Sequence, residues 1–470
     1  MIKLQLHWQI FIALILAIAY GIVFPTTYQL NESSFSQLKN PIPDTQVIQK
    51  LESVNQQNFS SRIEFREKLD QLLSDDESQI HTNQLIKAAY QNTAVIAVSW
   101  MGDIFLRALK MLIIPLILSS LISGITNIGS GSNLGRLGLK TFSYYIMTSL
   151  FAIITGLFLV NIIKPGVGAD LNFQEKVEGL VEKQKSFGDI LIEIIPENIF
   201  TAFTNNQMLS IIFFAILFGF FITKTKNSYR DLLNNFFSAI FDVMMQITLF
   251  IIKFTPLGIF GIVAKVVADQ DDLMGLVSRM GLYMGTVIVA LGIHFFITLP
   301  LILRFVGKLK PFKHLKNMTT PLLTAFSTSS SGATLPLTIE AVEDKSGVSN
   351  KISSFTLPLG ATINMDGTAL YECIAAMFIA QAYGIDLSVI EQIIIVITAL
   401  LASIGAAAIP MAGLVMITVI LTAVQLPLEG IGLILAVDRI LDMFRTATNV
   451  WSDSCGAILI AKTEGEQLKV

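Results

Sequence analysis

The sequence predicts an all-α, multi-pass membrane protein with eight transmembrane helices and two re-entrant helical hairpins. Its 470 residues are 53% hydrophobic and only 14% charged, whereas soluble domains have about 25% charged residues. Many stretches contain the ~20 mostly apolar residues that a spanning helix needs. In the last third, short polar or Gly- and Pro-containing motifs interrupt the apolar segments, a pattern typical of the broken helices that form binding sites in transporters.

Composition also bears on the partners and on the first segment. The net charge of −3 gives no sign of a nucleic-acid partner, and we expect none. Cys373 and Cys455 lie in apolar segments, so we interpret them as small buried side chains without a disulfide or metal motif. The first apolar segment is not followed by an A-x-A-like cleavage site, so we interpret it as a retained helix.

Polar intervals divide the first two thirds of the chain. We assign 1–28 to the first helix, 29–95 to an extracellular polar insertion, 96–126 to the second helix, 127–163 to the third, 164–270 to a broken fourth and a fifth helix, and 271–316 to the sixth. The fifth helix is predicted to run unbroken over 236–267. Within the insertion, 60–90 has helical periodicity.

Loop charges predict the orientation, because short cytoplasmic loops carry an excess of Lys and Arg. The loops after the second, fourth and sixth helices are basic, whereas the loop after the fifth contains Asp269, Asp271 and Asp272. All basic loops fall on one side if both termini are cytoplasmic. We therefore expect a multi-pass protein of the cell (inner or plasma) membrane with the insertion outside.

The last third has the order hairpin, broken helix, hairpin, polar helix. We assign 317–349 to the first re-entrant hairpin, 350–385 to the seventh helix with a break at NMDGT, 386–428 to the second hairpin, and 429–470 to the eighth helix and a tail. Non-helical backbone at membrane depth persists only against protein or a water-filled cavity. The two interrupted hairpins are therefore expected to meet around a binding site.

The last long apolar segment carries a row of polar residues. Asp438, Asp442, Arg445, Asn449 and Asp453 recur at steps of three or four residues, which places them on one face of a helix. A charge in the middle of a bilayer costs at least ~2.5–3.5 kcal/mol and is usually functional. This face therefore predicts a site for a charged ligand.

The residue types indicate what this ligand is. Arg445 offers a planar fork that matches a carboxylate, and Asp442 can accept an ammonium group. Asn449, Thr446 and Thr368 add neutral hydrogen-bonding groups. Together they suit a solute with carboxylate and ammonium groups. The alternative is that Arg445 and Asp442 form an ion pair that only holds helices together.

The acids outnumber the bases, which points to cations. Asp366, Glu372, Asp438, Asp442 and Asp453 face Arg445 and Arg439, and unpaired buried carboxylates either protonate or hold cations. Oxygen donors at Asn364, Asp366, Asn449 and Asp453 suit small hard cations. The four histidines, at positions 7, 81, 294 and 314, are scattered and are interpreted as structural or solvated.

Several strings resemble the dicarboxylate/amino acid:cation symporter family, which includes the excitatory amino acid transporters. They are GDIFLRALKMLIIPLI, YYIMTS, SSSGATLP, PLGATINMDGTALYE, ASIGAAAIPMAGLV and DRILDMFRTATNVWSD, in the family's order. The resemblance implies a homotrimer with inverted repeats. It also implies a scaffold of helices 1, 2, 4 and 5 and an elevator-like transport domain of helices 3 and 6–8 with both hairpins, the second hairpin being the gate.

The resemblance implies a role for each site residue. Arg445 and Thr368 would hold the side-chain carboxylate, Asp442 and Thr446 the amino group, and Asn449 and Ser331 the α-carboxylate. Backbone from Ser329, Ser330, Ser331, Ile409, Pro410, Met411, Ala412 and Gly413 would close around the solute. About three sodium sites are implied: one from Gly360, Asn364, Asn449 and Asp453; one from Thr362, Met365, Ser403, Ile404 and Ala406; and one from Tyr145, Thr148, Ser149, Asn364 and Asp366. No organic cofactor is expected, and for Met365 the alternative is a core filler.

Two positions refine the expectation, and two depart from the family's pattern. Arg445 favours an acidic substrate, and Glu372 is a candidate for proton coupling, the alternative being a permanently neutral, hydrogen-bonded Glu372. Archaeal members have an arginine where this chain has Ser329, and animal members have one where it has Met443. These departures put potassium counter-transport in doubt. The insertion at 29–95 matches no segment of the family.

The predicted function is sodium-coupled import of L-aspartate or L-glutamate, not an enzymatic activity. A proton- or sodium-coupled C4-dicarboxylate symporter is the alternative, although succinate has no ammonium group for Asp442. An intramembrane aspartyl protease needs two facing carboxylates that share a proton, whereas here arginine and amides lie between the acids. An anion channel is disfavoured because the predicted site is closed and shaped for a ligand.

Overall fold

The chain is helical over most of its length. The computed structural model describes residues 6–30, 51, 54, 56–59, 61–72, 85, 86, 89–128, 135–169, 192, 194–270, 272–405 and 412–470. By mutual contact these residues form two compact units. The first comprises the described residues within 1–106 and 253–277, and the second those within 107–169, 184–252 and 278–470.

The elements in the first part of the chain include a small sheet. They are α1 (Leu6–Val23), β1 (Thr27–Gln29), β2 (Asn58–Phe59), α2 (Arg62–Leu72), β3 (Tyr90–Gln91), α3 (Thr93–Ile128), α4 (Gly135–Ile163), α5 (Ile199–Thr204), α6 (Met208–Ile222), α7 (Asn227–Ile252) and α8 (Thr255–Ala268). The all-α prediction is therefore wrong for the insertion, which adds a three-stranded antiparallel sheet of order β2-β1-β3.

The second part of the chain has only helical elements among its described residues, including a 3₁₀ turn at Leu428–Gly430. Its elements are α9 (Leu273–Ile293), a π-helical turn (His294–Thr298), α10 (Leu299–Phe305), α11 (Pro311–Asn317), α12 (Thr319–Thr328), α13 (Ser331–Glu340), a second π-helical turn (Ala341–Lys345), α14 (Asn350–Ile363), α15 (Asp366–Ala382), α16 (Val389–Gly405), α17 (Ala412–Ala423) and α18 (Ile431–Thr463).

Length and hydropathy identify only part of the predicted set of spans. Among the described residues, four helices are long and apolar enough to cross a membrane: Thr93–Thr126, Arg136–Ile163, Asn227–Ile252 and Leu273–Phe305. Shorter apolar helices lie at Trp8–Val23, Met208–Ile222, Thr255–Ala268 and Val389–Ile404. The structure therefore supports a helical membrane protein without establishing eight spans.

The predicted unbroken helix over 236–267 is wrong. α7 ends at Ile252, and α8 begins at Thr255 with Pro256 in its first turn. Proline lacks a backbone N–H and is favoured at the start of a helix, where that donor has no intrahelical partner. The break contains Lys253 and Phe254 between two long apolar stretches, and one charged residue changes the mean hydropathy of the segment too little to separate the two helices.

In the first unit, the sheet packs with α2 around its own apolar core. Tyr28 lies opposite Phe59 in one strand pair and opposite Tyr90 in the other. The core consists of Tyr28, Leu30, Leu51, Val54, Phe59, Phe65, Leu69, Leu85, Ile86 and Ala89. The base of this module is fixed to the end of α8, because Thr26 Oγ1 and Tyr90 Oη donate to Asp269 Oδ1 at 2.6 and 3.1 Å. Burial and this carboxylate raise the pKa of Tyr90, so the phenol keeps its proton.

In the second unit, α18 contacts α4, α12, α14 and α15. The core of this unit includes Tyr144 and Tyr145 of α4, Leu357 of α14 and Trp451 of α18. Trp451 Nε1 donates to Phe295 O at 3.0 Å, and the ring stacks on His314. α18 is thus held from several sides, which fixes the direction of its polar face.

Two further interruptions lie in this unit. α12 ends before Ser329, whose φ of 51° is left-handed, and α13 begins at Ser331. α14 ends at Ile363 and α15 begins at Asp366, so the second interruption lies within NMDGT. Each break leaves backbone groups without intrahelical partners.

Residues 464–470, named here the C-terminal strap, fold back over neighbouring elements. Glu464 forms ion pairs with Arg136 at 2.5 Å and Lys140 at 2.6 Å. Glu466 accepts from Ser349 N at 3.0 Å, and Lys469 N donates to Ser346 O at 3.0 Å. The strap therefore ties the start of α4 to the turn that precedes α14.

Candidate functional site

The polar residues on one face of α18 are buried. Arg445 is 1% exposed, Asp442 7% and Asp453 3%. α18 runs unbroken through all of them, so the spacing of three and four residues does place them along one face. Asp438, Thr446 and Asn449 of the same helix are buried too.

Arg445 is held on one nitrogen and has unused donors on the others. Its Nη2 lies 2.7 Å from Asp442 Oδ1 and 3.2 Å from Asp438 Oδ1. Its guanidinium carbon lies 3.9 Å from the centroid of the Tyr371 ring. Nε and Nη1 have no hydrogen-bond partner among the described residues. A buried cation with spare donors can bind an anion.

Tyr371 of α15 braces this cluster from the neighbouring helix. Its Oη donates to Asp438 Oδ1 at 2.7 Å, while its ring stacks on Arg445. One side chain therefore contacts both the cation and one of its acids. Cation–π contact and a charge-assisted hydrogen bond together hold the guanidinium in place.

Asn449 joins α18 to the start of α15. Its Oδ1 accepts from Gly367 N at 2.7 Å, and its Nδ2 lies 3.1 Å from Thr368 Oγ1 and 3.3 Å from Met365 Sδ. The N–H of Gly367 is one of the donors that the first turn of a helix leaves unused. A Cβ on Gly367 would lie 2.6 Å from Arg445 O, so this close approach requires glycine.

Asp366 is the centre of a second buried cluster. Its Oδ1 accepts from Ser149 Oγ at 2.6 Å and Thr148 Oγ1 at 3.3 Å. Its Oδ2 accepts from Ser452 Oγ at 2.6 Å and lies 3.0 Å from His294 Nε2. Four neighbours from three segments thus orient one carboxylate.

Asn364 links this cluster to Asp453. Its Nδ2 donates to Asp453 Oδ1 at 2.9 Å and to Ser452 Oγ at 3.0 Å. The Oη of Tyr145 donates to Thr356 O at 2.7 Å. A Cβ on Gly360 would lie 2.5 Å from Asp453 Oδ1 and 2.7 Å from Tyr145 Oη. The structure therefore brings Gly360, Asn364 and Asp453 together and places Thr148, Ser149, Asn364 and Asp366 in one cluster, whereas the contacts of Asn449 are with Gly367, Thr368 and Met365.

The hairpin residues are only partly described. Ser330 accepts from Ala333 N at 3.2 Å, and Ser329 and Ser331 are buried. A Cβ on Gly413 would lie 2.7 Å from Arg445 Nη1, so α17 begins against the guanidinium, with Ala412 as its first residue. Ala406, Ile409, Pro410 and Met411 lie outside the described residues.

Two residues assigned to the second sodium site show no shared contact. Ser403 is buried and donates to Leu400 O within its own helix at 2.8 Å, with Ile404 beside it. Thr362 is exposed and donates to Leu359 O at 2.9 Å. Met365 contacts Asn449 through its sulfur, which is more than a filling role.

Glu372 is isolated in the interior. It is fully buried, and neither carboxylate oxygen has a hydrogen-bond partner in the described part of the chain. A buried carboxyl group without partners is unstable in its ionised form. The alternative of a permanently hydrogen-bonded Glu372 finds no support in these contacts.

Sequence reasoning missed three residues that the structure adds to the clusters: His294, Tyr371 and Ser452. His294 was interpreted as structural or solvated, yet it is fully buried and contacts Asp366. It is the first residue of a π-helical turn, a feature that often marks functional sites. Its place in an otherwise apolar segment was the available signal. Tyr371 lies one residue before Glu372, within the motif already singled out.

Comparison with known proteins agrees with this geometry. The family model described as "Sodium:dicarboxylate symporter family" matches residues 6–463. The chain is 37% identical to excitatory amino acid transporter 3 of Mus musculus over 419 residues, covering 78% of this chain and 79% of that protein. It is 36% identical to the proton/glutamate-aspartate symporter of Escherichia coli (strain K12) over 374 residues, with 77% and 84% covered. It is also 36% identical to the proton/sodium-glutamate symport protein of Bacillus subtilis (strain 168) over 371 residues, with 77% and 85% covered.

Proposed function

The chain belongs to the sodium:dicarboxylate symporter family, and on this premise we propose that it imports L-aspartate or L-glutamate together with sodium ions. The named relatives are described as an excitatory amino acid transporter, a proton/glutamate-aspartate symporter and a proton/sodium-glutamate symport protein. The observation that carries the proposal is Arg445, a fully buried cation with two nitrogens unpartnered among the described residues and an acid three residues earlier.

A zwitterionic acid fits this charge pattern. A carboxylate of the solute binds the spare donors of Arg445, with Thr368 nearby. The ammonium group binds Asp442, whose Oδ2 has no hydrogen-bond partner in the described residues, and Thr446. The second carboxylate binds Asn449 and Ser331. The backbone of Ser329, Ser330 and the segment 409–413 closes the site. The buried ion pair alone does not use Nε and Nη1, so a purely structural role for Arg445 leaves these donors unexplained.

Sodium is the coupled cation in this proposal. Asp453, Asn364, Asn449 and Gly360 hold one ion. Asp366 with Tyr145, Thr148, Ser149 and Asn364 holds another, and Thr362, Met365, Ser403, Ile404 and Ala406 hold a third. A buried carboxylate needs a compensating positive charge. Ser149 and Ser452 donate hydroxyl hydrogen bonds to Asp366 but are neutral. Sodium supplies that charge.

The energetics support coupling to cations. Moving one elementary charge through the membrane potential is worth about 2.3 kcal/mol per 100 mV. A net gain of two positive charges gives ~4.6 kcal/mol, or about three decades of concentration. The electrical term therefore suffices to concentrate an anionic amino acid against an inside-negative potential.

Transport proceeds by an elevator mechanism with eight spans, two re-entrant hairpins and inverted repeats. The helix pairs α12–α13 and α16–α17 are the hairpins, and the second is the gate. Both termini are cytoplasmic, and the module at 29–95 is extracellular. The carrier is a homotrimer in this proposal, and the exposed apolar side chains of α7, among them Phe236, Val243 and Phe250, can face either lipid or a second copy of the chain.

Glu372 is the proton-coupling residue in this proposal. Its burial without a partner in the described chain favours the protonated carboxyl group in this conformation, and the proposal is that the group releases this proton in another conformation. Two of the named relatives are described as proton-linked symporters. These descriptions support coupling to protons as well as to sodium.

Uptake of radiolabelled aspartate into proteoliposomes tests the function. We expect uptake to require an inward sodium gradient and to be inhibited by glutamate but weakly by succinate or serine. If succinate competes as well as aspartate and Asp442→Asn is harmless, the C4-dicarboxylate alternative is correct. Uptake without sodium dependence at constant pH would remove sodium from the proposal.

A further inference from the structure

The two acids beside Arg445 share one of its nitrogens. Asp442 Oδ1 and Asp438 Oδ1 lie 2.7 and 3.2 Å from Nη2. The Oδ2 atoms of both have no hydrogen-bond partner in the described residues. One guanidinium therefore faces two carboxylates, which leaves one negative charge in excess.

Arg439 supplies the missing charge. It lies three residues before Asp442 on α18, and its Nη1 is 3.8 Å from Asp442 Oδ2. In the described part of the chain, the ion pairs of Asp438 and Asp442 are those with Arg445 and Arg439. With Arg439 included, two acids face two bases.

Arg439 differs from Arg445 in its surroundings. Its side chain is 36% exposed, whereas that of Arg445 is 1% exposed. The distance of 3.8 Å is too long for a hydrogen bond, so Arg439 compensates the charge of Asp442 without occupying the oxygen. A long, half-exposed side chain can move away into water at low cost.

We infer that Arg439 is a positioning residue that balances Asp442 whenever no ammonium group is bound there and is replaced by the ammonium group of the solute. This inference rests on the proposed function. Its consequence concerns the step in which the carrier returns without solute. When Arg439 is present, the charge of Asp442 is compensated during this return step. When Arg439 is absent, an uncompensated carboxylate must pass through a low-dielectric region.

Net uptake and exchange separate this role from a structural one. Net uptake requires the carrier to return without solute, whereas exchange of external labelled aspartate for internal unlabelled aspartate does not. In proteoliposomes, Arg439→Gln is expected to reduce net uptake roughly tenfold, since the lost partner leaves a buried charge uncompensated. Exchange should stay within about twofold of the exchange rate of the unaltered protein, because a twofold change corresponds to a free-energy difference of only RT ln 2.

Two variants complete the design. Arg439→Lys keeps the charge and should restore net uptake. Arg304→Gln makes the same change at an exposed position of α10 and should alter neither assay. Exchange by Arg439→Gln itself demonstrates that the variant is folded. If Arg439→Gln shows no exchange, net uptake by Arg439→Lys becomes the deciding measurement. Loss of net uptake in Arg439→Lys would then overturn the inference.

The remaining outcomes are also decisive. An equal partial loss of net uptake and exchange in Arg439→Gln, or no loss in either, would overturn the role of Arg439. Absence of both aspartate activities in the unaltered protein would instead overturn the proposed function. The two failures are therefore distinguishable.

Discussion

His294 Nε2 lies 3.0 Å from Asp366 Oδ2, and both side chains are fully buried. The imidazole therefore orients one of the carboxylates assigned to sodium. The opposite face of Asp366 is held by Ser149 through a 2.6 Å hydrogen bond. Partners that orient a ligand commonly change metal affinity by 10–100-fold when they are removed.

Replacing His294 should weaken sodium dependence. We expect His294→Ala to raise the sodium concentration for half-maximal aspartate uptake about tenfold, because Asp366 loses a neighbour that fixes its oxygens. The measurement is a sodium titration of uptake in proteoliposomes. His314→Ala is the matched control, since His314 bonds Ser346 and Ser454 outside this cluster. A similar shift in both variants would contradict a local role for His294.

Arg445→Cys should abolish transport of acidic substrates. The variant removes the only described cation in contact with both Asp438 and Asp442, and we expect aspartate uptake to fall by at least about a hundredfold. Competition by neutral amino acids should become measurable, because the carboxylate-binding charge is gone. Intact glutamate uptake would refute the assignment.

Asp453→Asn should shift the sodium titration. The change keeps the shape of the side chain next to Asn364 but removes its charge, so we expect the half-saturating sodium concentration to rise about tenfold or more. Asp231→Asn, at an exposed residue of α7, is the control. An unaltered titration in Asp453→Asn would exclude this carboxylate from the sodium site.

Glu372→Gln should make uptake less sensitive to pH. The amide keeps the size of the side chain and cannot exchange a proton, so uptake measured between about pH 5 and 8 should flatten. The same variant should retain sodium-dependent exchange. A pH profile identical to that of the unaltered protein would leave Glu372 without a role in proton coupling.

The C-terminal strap should loosen in acid. Hydrogen bonds from Lys140 and Arg136 lower the pKa of Glu464, so its carboxylate contributes stability above the ordinary carboxyl range. That contribution is lost as the pH falls through the lowered pKa. We expect Glu464→Gln to reduce the thermal unfolding temperature in detergent slightly at pH 7 but not at about pH 3. An equal reduction at both values would mean that the ion pairs are unimportant.

The site was more predictable than the fold around it. Steps of three and four residues were enough to group Asp438, Asp442, Arg445, Asn449 and Asp453, because a continuous helix preserves that period. His294 and Tyr371 belong to other segments, and only tertiary packing brings them to Asp366 and Arg445. The local sequence can single out these residues but does not indicate which side chains they contact.

The errors in the fold also have physical causes. The strands of the insertion are two or three residues long, too short for an alternating pattern to be recognised. The break between α7 and α8 lies at Lys253 and Phe254, between two long apolar stretches. Lys253 and Pro256, which is favoured in the first turn of a helix, were the local indications of this break.

The strand pairing of Thr27 with Gln91 joins the two ends of the insertion. α1 ends just before this pair and α3 begins just after it, so the chain returns to the place from which it departed. An insertion whose two ends lie side by side can be lengthened, shortened or replaced during evolution without displacing either helix. A short β-turn grafted between these two residues should therefore be accepted by the helices, which makes the module a convenient place for engineering.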